Sequence, residues 1–380
     1  MDRATFPSDA VSTHALHPRG VAALGRWGLL ERLRSTGCPA ISTYAFDFGH
    51  ARISGSPATE QASVAYAPRR TVLDELLVTA AAEAGAQVRE GFTVTGLVFE
   101  DGAVTGIEGR RGNGPRITEG ARIVVGADGT RSSVARLVQA RKYRETPKLA
   151  VAYYSYWRGL PVDGRVWSCM RPGQSLTTVP THDDLTLIVG SWPFGERLAR
   201  RSDVEGTFAS AFDQFPDLAE QMREAERVER FTGAAVPNFF RAPSGPGWVL
   251  AGDAGYTRDP VTAQGMSDAF ASAELCAEAV DDTLRGARPA GEAMRAYQEA
   301  RDAQVSPMYE FTCNLAGLEP LPPKVADLFA SLQGDQEGMD RFARLYGGAL
   351  PPAEFFARYE AAPAPAPDPG TPPQAAGLRA

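Results

Sequence analysis

The sequence is poor in the residues and runs that mark several classes of protein. It has 4 cysteines among 380 residues, with no CxxC pair and no zinc-ligand spacing, so a disulfide framework or structural zinc site is disfavoured. It has no run of about 18 apolar residues and no secretory signal pattern. A net charge of −7 disfavours nucleic acid as a partner. We therefore expect a cytoplasmic protein with reduced thiols and no membrane span, while peripheral membrane contact stays open.

The remaining composition is that of a globular enzyme with more than one lobe. Hydrophobic residues make up 43% and charged residues 22%. The chain is longer than the roughly 250–300 residues at which a single core stops growing. We predict a discontinuous first lobe over 1–148 and 237–305, with a substrate-binding sheet lobe over 149–236. A helical region over 306–360 and a disordered, Pro- and Ala-rich tail over 361–380 complete the prediction.

Hydrophobic periodicity and turn residues place the main elements. The predicted helices are Pro18–Leu33, Arg70–Ala84 with Gly85 as its stop, and Gln264–Leu284. Asp101-Gly102 predicts a hairpin between two strands, Phe92–Glu100 and Val104–Gly109.

The segment from Ala150 to Val236 is rich in aromatic strands and lacks helices long enough for parallel crossovers. These features predict an antiparallel sheet. Its aromatic run Tyr153–Trp157 and the residues around Ser191–Pro193 fit either an apolar substrate cavity or plain core packing, and core packing is the more common case.

A first glycine-aspartate motif follows the predicted buried strand Ile123–Val125. Gly126, Asp128 and Gly129 place a carboxylate beside small residues at the carboxyl end of that strand. Ligands of open α/β sheets bind at this edge, and small residues let the backbone approach them closely. The alternative is a simple turn in which Ser132 caps the next helix.

A second motif of the same kind follows the predicted strand Trp248–Leu250. Gly252 and Asp253 end this strand, and a loop then leads into a helix that begins at Gln264–Ser267. An aspartate here can accept a hydrogen bond from a sugar hydroxyl, and the N–H groups of a helix start suit an electron-rich ring oxygen. The alternative is a generic corner between a strand and a helix.

Together, and in this order, the two motifs resemble the paired signatures of the para-hydroxybenzoate-hydroxylase-like flavoprotein superfamily. The chain is also similar to the geranylgeranyl-reductase-like flavoproteins, and the resemblance spans residues 1 to about 305. It implies an α/β fold with a Rossmann-like lobe that binds FAD, an antiparallel-sheet substrate lobe and a helical C-terminal region. It also implies NAD(P)H as the reductant.

The resemblance assigns individual roles near the cofactor. It implies that Asp253 contacts the ribityl and pyrophosphate region of FAD, and that Pro260 packs beside the flavin ring. Gly265 and Met266 would offer backbone donors to the pyrimidine edge, and Asp128 would serve the NAD(P)H and FAD side. The full set of predicted cofactor-binding residues is Asp2, Arg3, Arg19, Arg70, Asp128, Gly129, Gly252, Asp253, Pro260, Gln264, Gly265 and Met266.

Two N-terminal segments resemble the same superfamily. Arg70 matches the arginine that approaches the FAD phosphates from a helix start, where its planar fork suits phosphate; the alternative is a solvent-facing arginine. Asp2 lies in a segment that looks like the end of a Rossmann strand and would bind the adenosine ribose. His14 and His17 are spaced i,i+3, but no third ligand follows, so a metal site is disfavoured.

The glycine fingerprint GxGxxG does not precede Asp2, although it is expected about 20 residues before the ribose-binding acid. The run Gly112–Pro115 is better explained as a turn, because no helical pattern follows it. We therefore expect a cofactor lobe without its first βαβ unit and weak FAD binding by the chain as written. A misassigned start and a true truncation both remain open.

The sequence thus predicts an FAD-dependent oxidoreductase, with an NAD(P)H-dependent monooxygenase acting on a small hydrophobic or aromatic substrate as the leading interpretation. One alternative is an FAD-dependent reductase of polyprenyl-type alkenes, and another is a non-catalytic remnant without flavin. No side chain is assigned as a catalytic acid or base, because flavin chemistry itself requires none. The chain lacks the paired-tryptophan segment of flavin halogenases, which disfavours halogenation.

Overall fold

The computed structural model describes residues 1–160 and 162–360, and the predicted disordered tail at 361–380 lies outside them. The helices are α1 Pro18–Arg26, α2 Leu30–Ser35, α3 Arg70–Glu83, α4 Ser133–Leu137, α5 Arg197–Ser202, α6 Val204–Phe212, α7 Pro216–Gln221, α8 Gly265–Arg285, α9 Ala290–Ala316, α10 Pro323–Ser331, α11 Gln336–Tyr346 and α12 Pro352–Glu360. The strands are β1 Ala40–Ile41, β2 Thr43–Asp47, β3 Arg52–Gly55, β4 Ala65–Tyr66, β5 Phe92–Glu100, β6 Ala103–Arg111, β7 Ile117–Gly120, β8 Val124–Gly126, β9 Lys142–Thr146, β10 Ala150–Arg158, β11 Arg165–Arg171, β12 Gln174–Pro180, β13 Leu185–Pro193, β14 Glu226–Arg227, β15 Thr232–Ala234, β16 Asn238–Arg241, β17 Ser244–Gly245, β18 Trp248–Leu250 and β19 Tyr256–Thr257.

The largest sheet has eight strands in the order β14-β10-β13-β12-β11-β2-β3, with β15 also pairing with β10. All its pairs are antiparallel except β11 with β2. The predicted antiparallel sheet is therefore confirmed. Its two additional strands, β2 and β3, come from the segment 43–55, which the sequence analysis placed in the other lobe. The predicted division therefore needs correction for this segment, which belongs to the large sheet. The sequence does not show this, because the parallel pairing of β2 with β11 is a long-range contact without a local signal.

The two faces of this sheet pack against different partners. Because side chains alternate along a strand, Tyr154 and Tyr156 point to one face and Tyr153 and Trp157 to the other. The side chains on the first face pack against α10, α11 and α12, and Phe342 of α11 is buried in this core. The second face joins the helices α6 and α7 around buried aromatic side chains. Most of the predicted aromatic run is therefore core packing.

A smaller sheet carries both glycine-aspartate motifs. It has the order β17-β18-β8, and β18 pairs with β8 in parallel. A third sheet, β5-β6-β7, begins with the predicted hairpin. Asp101 and Gly102 both have positive φ, +48° and +80°, as a two-residue hairpin turn with the favoured twist requires.

The first predicted helix is shorter than expected. Pro18–Leu33 is divided into α1 and α2, because the chain turns at Gly28, where φ is +72°. A glycine adopts this left-handed conformation without steric cost, and it therefore ends the helix. The other two helices are confirmed within a residue or two: α3 stops before Gly85, and α8 stops before Gly286, both at positive φ.

Candidate functional site

The two glycine-aspartate motifs lie side by side at one edge of the small sheet. Leu250 pairs with Gly126 across the parallel strands, and the N–H of Ala251 donates to the Gly126 carbonyl at 3.0 Å. Beyond the strands, the Thr130 hydroxyl donates to Asp253 at 3.0 Å. The motifs thus converge on one crevice at the carboxyl ends of parallel strands, where α/β proteins bind ligands.

Asp253 lies in this crevice with one oxygen held and one free. Oδ2 accepts the hydrogen bond from Thr130, and Oδ1 has no protein donor among the described residues. Burial raises the pKa of Asp253 to about 6, although the Thr130 hydroxyl opposes this shift. Because a buried carboxylate is stabilised by hydrogen-bond donors, the free oxygen is well suited to a ligand hydroxyl.

Asp128 has a different environment. Its oxygens accept hydrogen bonds from the Ser132 hydroxyl at 2.5 Å and from the N–H groups of Ser133 and Val134 at 2.6 and 3.2 Å. Ser132 in turn caps α4 by accepting from the Ala135 N–H. The exposed Asp128 side chain therefore secures the turn and helix start that the sequence analysis gave as its alternative. A cofactor contact by Asp128 or Gly129 stays a prediction.

The loop before α8 is fixed by a buried carboxylate. Asp259 accepts from the N–H groups of Val261 at 3.1 Å and Ala150 at 3.2 Å, and its own N–H donates to Asn238 at 2.6 Å. Pro260–Thr262 then forms one turn of 3-10 helix. These bonds tie the loop that contains Pro260 to β10 of the large sheet.

The N-terminus of α8 opens toward free space. Gly265 is exposed, and a Cβ added there would meet no atom within 4 Å. The first N–H groups of a helix have no partners within it, and this 21-residue helix presents them here. The neighbouring Ser267 hydroxyl is 1% exposed and has no protein partner. Gly265 and Met266 thus lie where backbone donors are available.

Asp268, in the first turn of α8, is held between two arginines. Arg258 donates to it at 2.6 Å, and Arg19 donates to its other oxygen and to the Gln264 side chain. The Arg258 and Asp268 side chains are only 3% and 6% exposed. Gln264 also donates to the Tyr346 carbonyl at 2.6 Å. The predicted residues Arg19 and Gln264 therefore brace the helix start.

The remaining N-terminal residues of the predicted set lie apart from these contacts. Arg70 makes two hydrogen bonds to Asp74 one helical turn later, at 2.8 and 2.7 Å, so its fork is already paired. Asp2 and Arg3 are exposed, and the Asp2 N–H donates to the Arg89 carbonyl. The segment 2–7 forms no strand in the structure, contrary to the expected Rossmann strand end. The phosphate and ribose roles of these residues stay predictions.

His14 and His17 are both buried and each binds a tyrosine. The His17 Nε2 lies 3.0 Å from the Thr262 carbonyl, which can only accept, so Nε2 carries the proton and Nδ1 accepts from the Tyr44 hydroxyl at 2.6 Å. His14 uses its nitrogens in the reverse order, toward the Ser12 carbonyl and Tyr156. Burial lowers the pKa of both histidines to about 4, so both are neutral at pH 7.

A small, partly open cavity lies between the large sheet and the loop before α8. His17, Pro260 and Ala263 line the side that faces the loop, and Tyr44 of β2 lies at one end of the sheet side. Its sheet side consists of small residues, mainly valine, serine and threonine, from β10 to β13. Ala152 and Ser191 line it, whereas the aromatic neighbours predicted as alternatives pack into the cores.

Sequence reasoning missed several residues of this site. Thr130 and Asp268 follow the two motifs closely and were within reach of motif reading. Tyr44 was not, because its strand reaches the cavity only through the parallel pairing with β11, in which paired residues such as Tyr44 and Val166 are 122 positions apart.

The chain matches a known family of cofactor-binding domains. Residues 1–312 match the family model described as "FAD binding domain". The chain belongs to this family of FAD-binding domains. Among the described residues, no helix has the length and apolarity needed to cross a bilayer.

Particular relatives give a finer comparison. The chain is 28% identical over 247 residues to a digeranylgeranylglycerophospholipid reductase of Methanocella arvoryzae, a match that covers 63% of this chain and 61% of the reductase. The chain thus spans about three fifths of the length of the curated relatives it matches.

Solved structures share the fold at low identity. The myxobacterial chondrochloren halogenase has a TM-score of 0.77 at 19% identity, with 92% of each chain covered. The p-nitrophenol 4-monooxygenase of Pseudomonas putida has a TM-score of 0.73 at 16% identity, covering 92% of this chain and 91% of the other.

Proposed function

We propose that this protein is an NAD(P)H-dependent FAD monooxygenase for a small hydrophobic or aromatic substrate. The observation that carries the proposal is the cavity between the large sheet and the loop that contains Pro260. This cavity lies next to the N-terminus of α8, where the family match and the free backbone donors support the flavin ring. A substrate in the cavity would therefore lie against the ring.

The residues present fit FAD. Asp253 has a free oxygen for a ribityl hydroxyl, and the start of α8 offers N–H groups to the pyrimidine edge. When bound, FAD would accept electrons from NAD(P)H and pass them to dioxygen, so that one oxygen atom enters the substrate and the other leaves as water. The protein's part is to position the substrate and exclude water, and Tyr44 with His17 closes one wall without any charged side chain.

The second candidate is reduction of an alkene in a polyprenyl-type lipid. It is favoured by the match to the digeranylgeranylglycerophospholipid reductases, whereas the small and partly polar cavity favours a compact substrate. In this reaction NAD(P)H supplies a hydride equivalent through the flavin and water supplies the proton, without dioxygen.

One experiment separates the candidates. The purified protein is loaded with FAD, and NADH or NADPH oxidation is followed with a panel of phenols and with geranylgeraniol, in air and without oxygen. A monooxygenase consumes dioxygen in response to a phenol and transfers ¹⁸O from ¹⁸O₂ into the product. A reductase consumes NAD(P)H with the alkene under nitrogen. A protein without absorbance near 450 nm after FAD loading would contradict both.

A further inference from the structure

Two serines stand out on the sheet side of the cavity. Ser175 of β12 and Ser191 of β13 are directly opposite each other, and both line the cavity. Their exposed fractions are 3% and 4%, yet neither hydroxyl makes a hydrogen bond to the described residues. The buried Thr178 hydroxyl on the opposite face of the sheet also lacks a partner, so this lack alone does not mark a site. The two serines differ from it because both line the cavity, where water or a ligand can reach their hydroxyls.

The surroundings make these hydroxyls distinctive. The next pair on the same face is Thr177 opposite Val189, and the Thr177 hydroxyl is already paired with Ser168 at 3.0 Å. Val179 follows on the same strand and also lines the cavity. The sheet side of the cavity, which we call its floor, is thus polar at the serine end and apolar beyond Thr177.

The Tyr44–His17 pair lies at the other end of the floor. Tyr44 is opposite Val166 across β2 and β11. Because Trp167 pairs with Thr178, the preceding residue Val166 is opposite Val179. Tyr44 therefore continues the row of side chains that runs across the sheet through Val166 and Val179. Four residues along β12 separate this row from Ser175, which is about 13 Å. The two polar ends therefore face one cavity with an apolar middle.

Resting on the proposed function, we propose that Ser175 and Ser191 form a polar anchor that selects a compact substrate carrying a hydroxyl or carbonyl oxygen. A hydroxyl both donates and accepts, so the pair can bind either kind of oxygen. A hydrocarbon without oxygen would leave both hydroxyls unpaired after displacing any water. Such a loss discriminates more strongly than a missing methylene group.

The test uses two probes of nearly the same shape, p-cresol and p-xylene, which differ in a hydroxyl against a methyl group. Their binding to the oxidised, FAD-loaded protein is measured by calorimetry without NAD(P)H, so that no turnover occurs. We expect the wild-type protein to prefer p-cresol by about three- to tenfold, the range of one net hydrogen bond. In Ser175→Ala/Ser191→Ala the preference should disappear, chiefly through weaker p-cresol binding.

The matched control is Thr178→Val on the same strand. Thr178 is fully buried on the opposite face of the sheet, so this variant should keep the wild-type preference. Thermal melts confirm that all variants fold. Equal binding of the two probes by the wild type, or no binding of either, would overturn the anchor. Retained FAD absorbance in the same samples would show that the flavin part of the proposed function still stands.

Discussion

The predicted cofactor crevice, at the edge of the small sheet, and the floor of the cavity consist of different kinds of residue. At the edge, charged side chains and free backbone donors dominate, with Asp253 in the crevice and Asp268 held between Arg19 and Arg258. The floor is made of neutral side chains on one face of a sheet. Buried charges are costly to unpair, whereas neutral hydroxyls are cheap to remove. Substitutions at the edge should therefore affect stability and cofactor binding strongly, and those at the floor should affect selectivity.

The largest effect is expected from Asp268→Asn. This change leaves two largely buried guanidinium groups without their carboxylate and should lower the free energy of unfolding by about 3–5 kcal/mol. Asp281→Asn, on the same helix, removes an exposed partner of Arg285 and should cost about 1 kcal/mol or less. Urea titrations of both variants measure the difference. Equal losses would show that burial of the Asp268 pairs is unimportant.

The pH dependence of stability gives the next effect. His14 and His17, with folded pKa values lowered to about 4, destabilise the fold as pH falls from 6.5 to 4. Asp253 and Asp259, with pKa values raised to about 6, favour the fold in nearly the same range as pH falls. The two contributions oppose each other, so wild-type stability should change little from these groups.

His17→Gln should remove part of the histidine contribution and so make the opposing contribution of the aspartates visible. Glutamine can keep both hydrogen bonds but cannot titrate. Relative to wild type, the variant should therefore gain up to about 3 kcal/mol of unfolding free energy between pH 6.5 and 4. Urea midpoints at several pH values test this, with the exposed His50→Gln as the control. A wild-type profile in His17→Gln would contradict the assigned neutral state.

Asp253→Ala should weaken FAD binding more than folding. Losing a hydrogen bond to a charged group lowers affinity by about 10- to 100-fold. Asp128→Ala is the matched change in the other motif, and it should instead lower stability by about 1 kcal/mol through the lost helix cap. FAD titrations and melts without FAD separate the two roles. An unchanged FAD affinity in Asp253→Ala would remove this residue from the cofactor site.

A modest stability effect is expected at the cavity. Tyr44→Phe removes the donor to His17 and leaves a buried nitrogen unpaired, at a cost of about 1–2 kcal/mol. Tyr156→Phe makes the same change in the His14 pair, away from the cavity, and should cost a similar amount. Only Tyr44→Phe should also change binding of a phenol probe. If both variants changed it equally, Tyr44 would have no special part in the cavity.

The same contrast explains what could be predicted from the sequence. The strands that end at Gly126 and Gly252 were predictable because local patterns mark buried strands, tight turns and helix starts. The cavity floor was not, because it depends on which strands pair and in which register. Tyr44 and Ser175 carry no local signal that they line one space. Arg70 also pairs with Asp74, a contact that motif reading did not include, and its phosphate role stays a prediction.

The most direct test of this account is hydrogen exchange of the backbone amides with and without saturating FAD. We predict that FAD protects the crevice segments 126–131, 252–254 and 260–268, while the separate β5-β6-β7 sheet remains unchanged. Absence of protection in these three segments, or protection confined to another part of the chain, would contradict the placement of the cofactor between the two glycine-aspartate motifs.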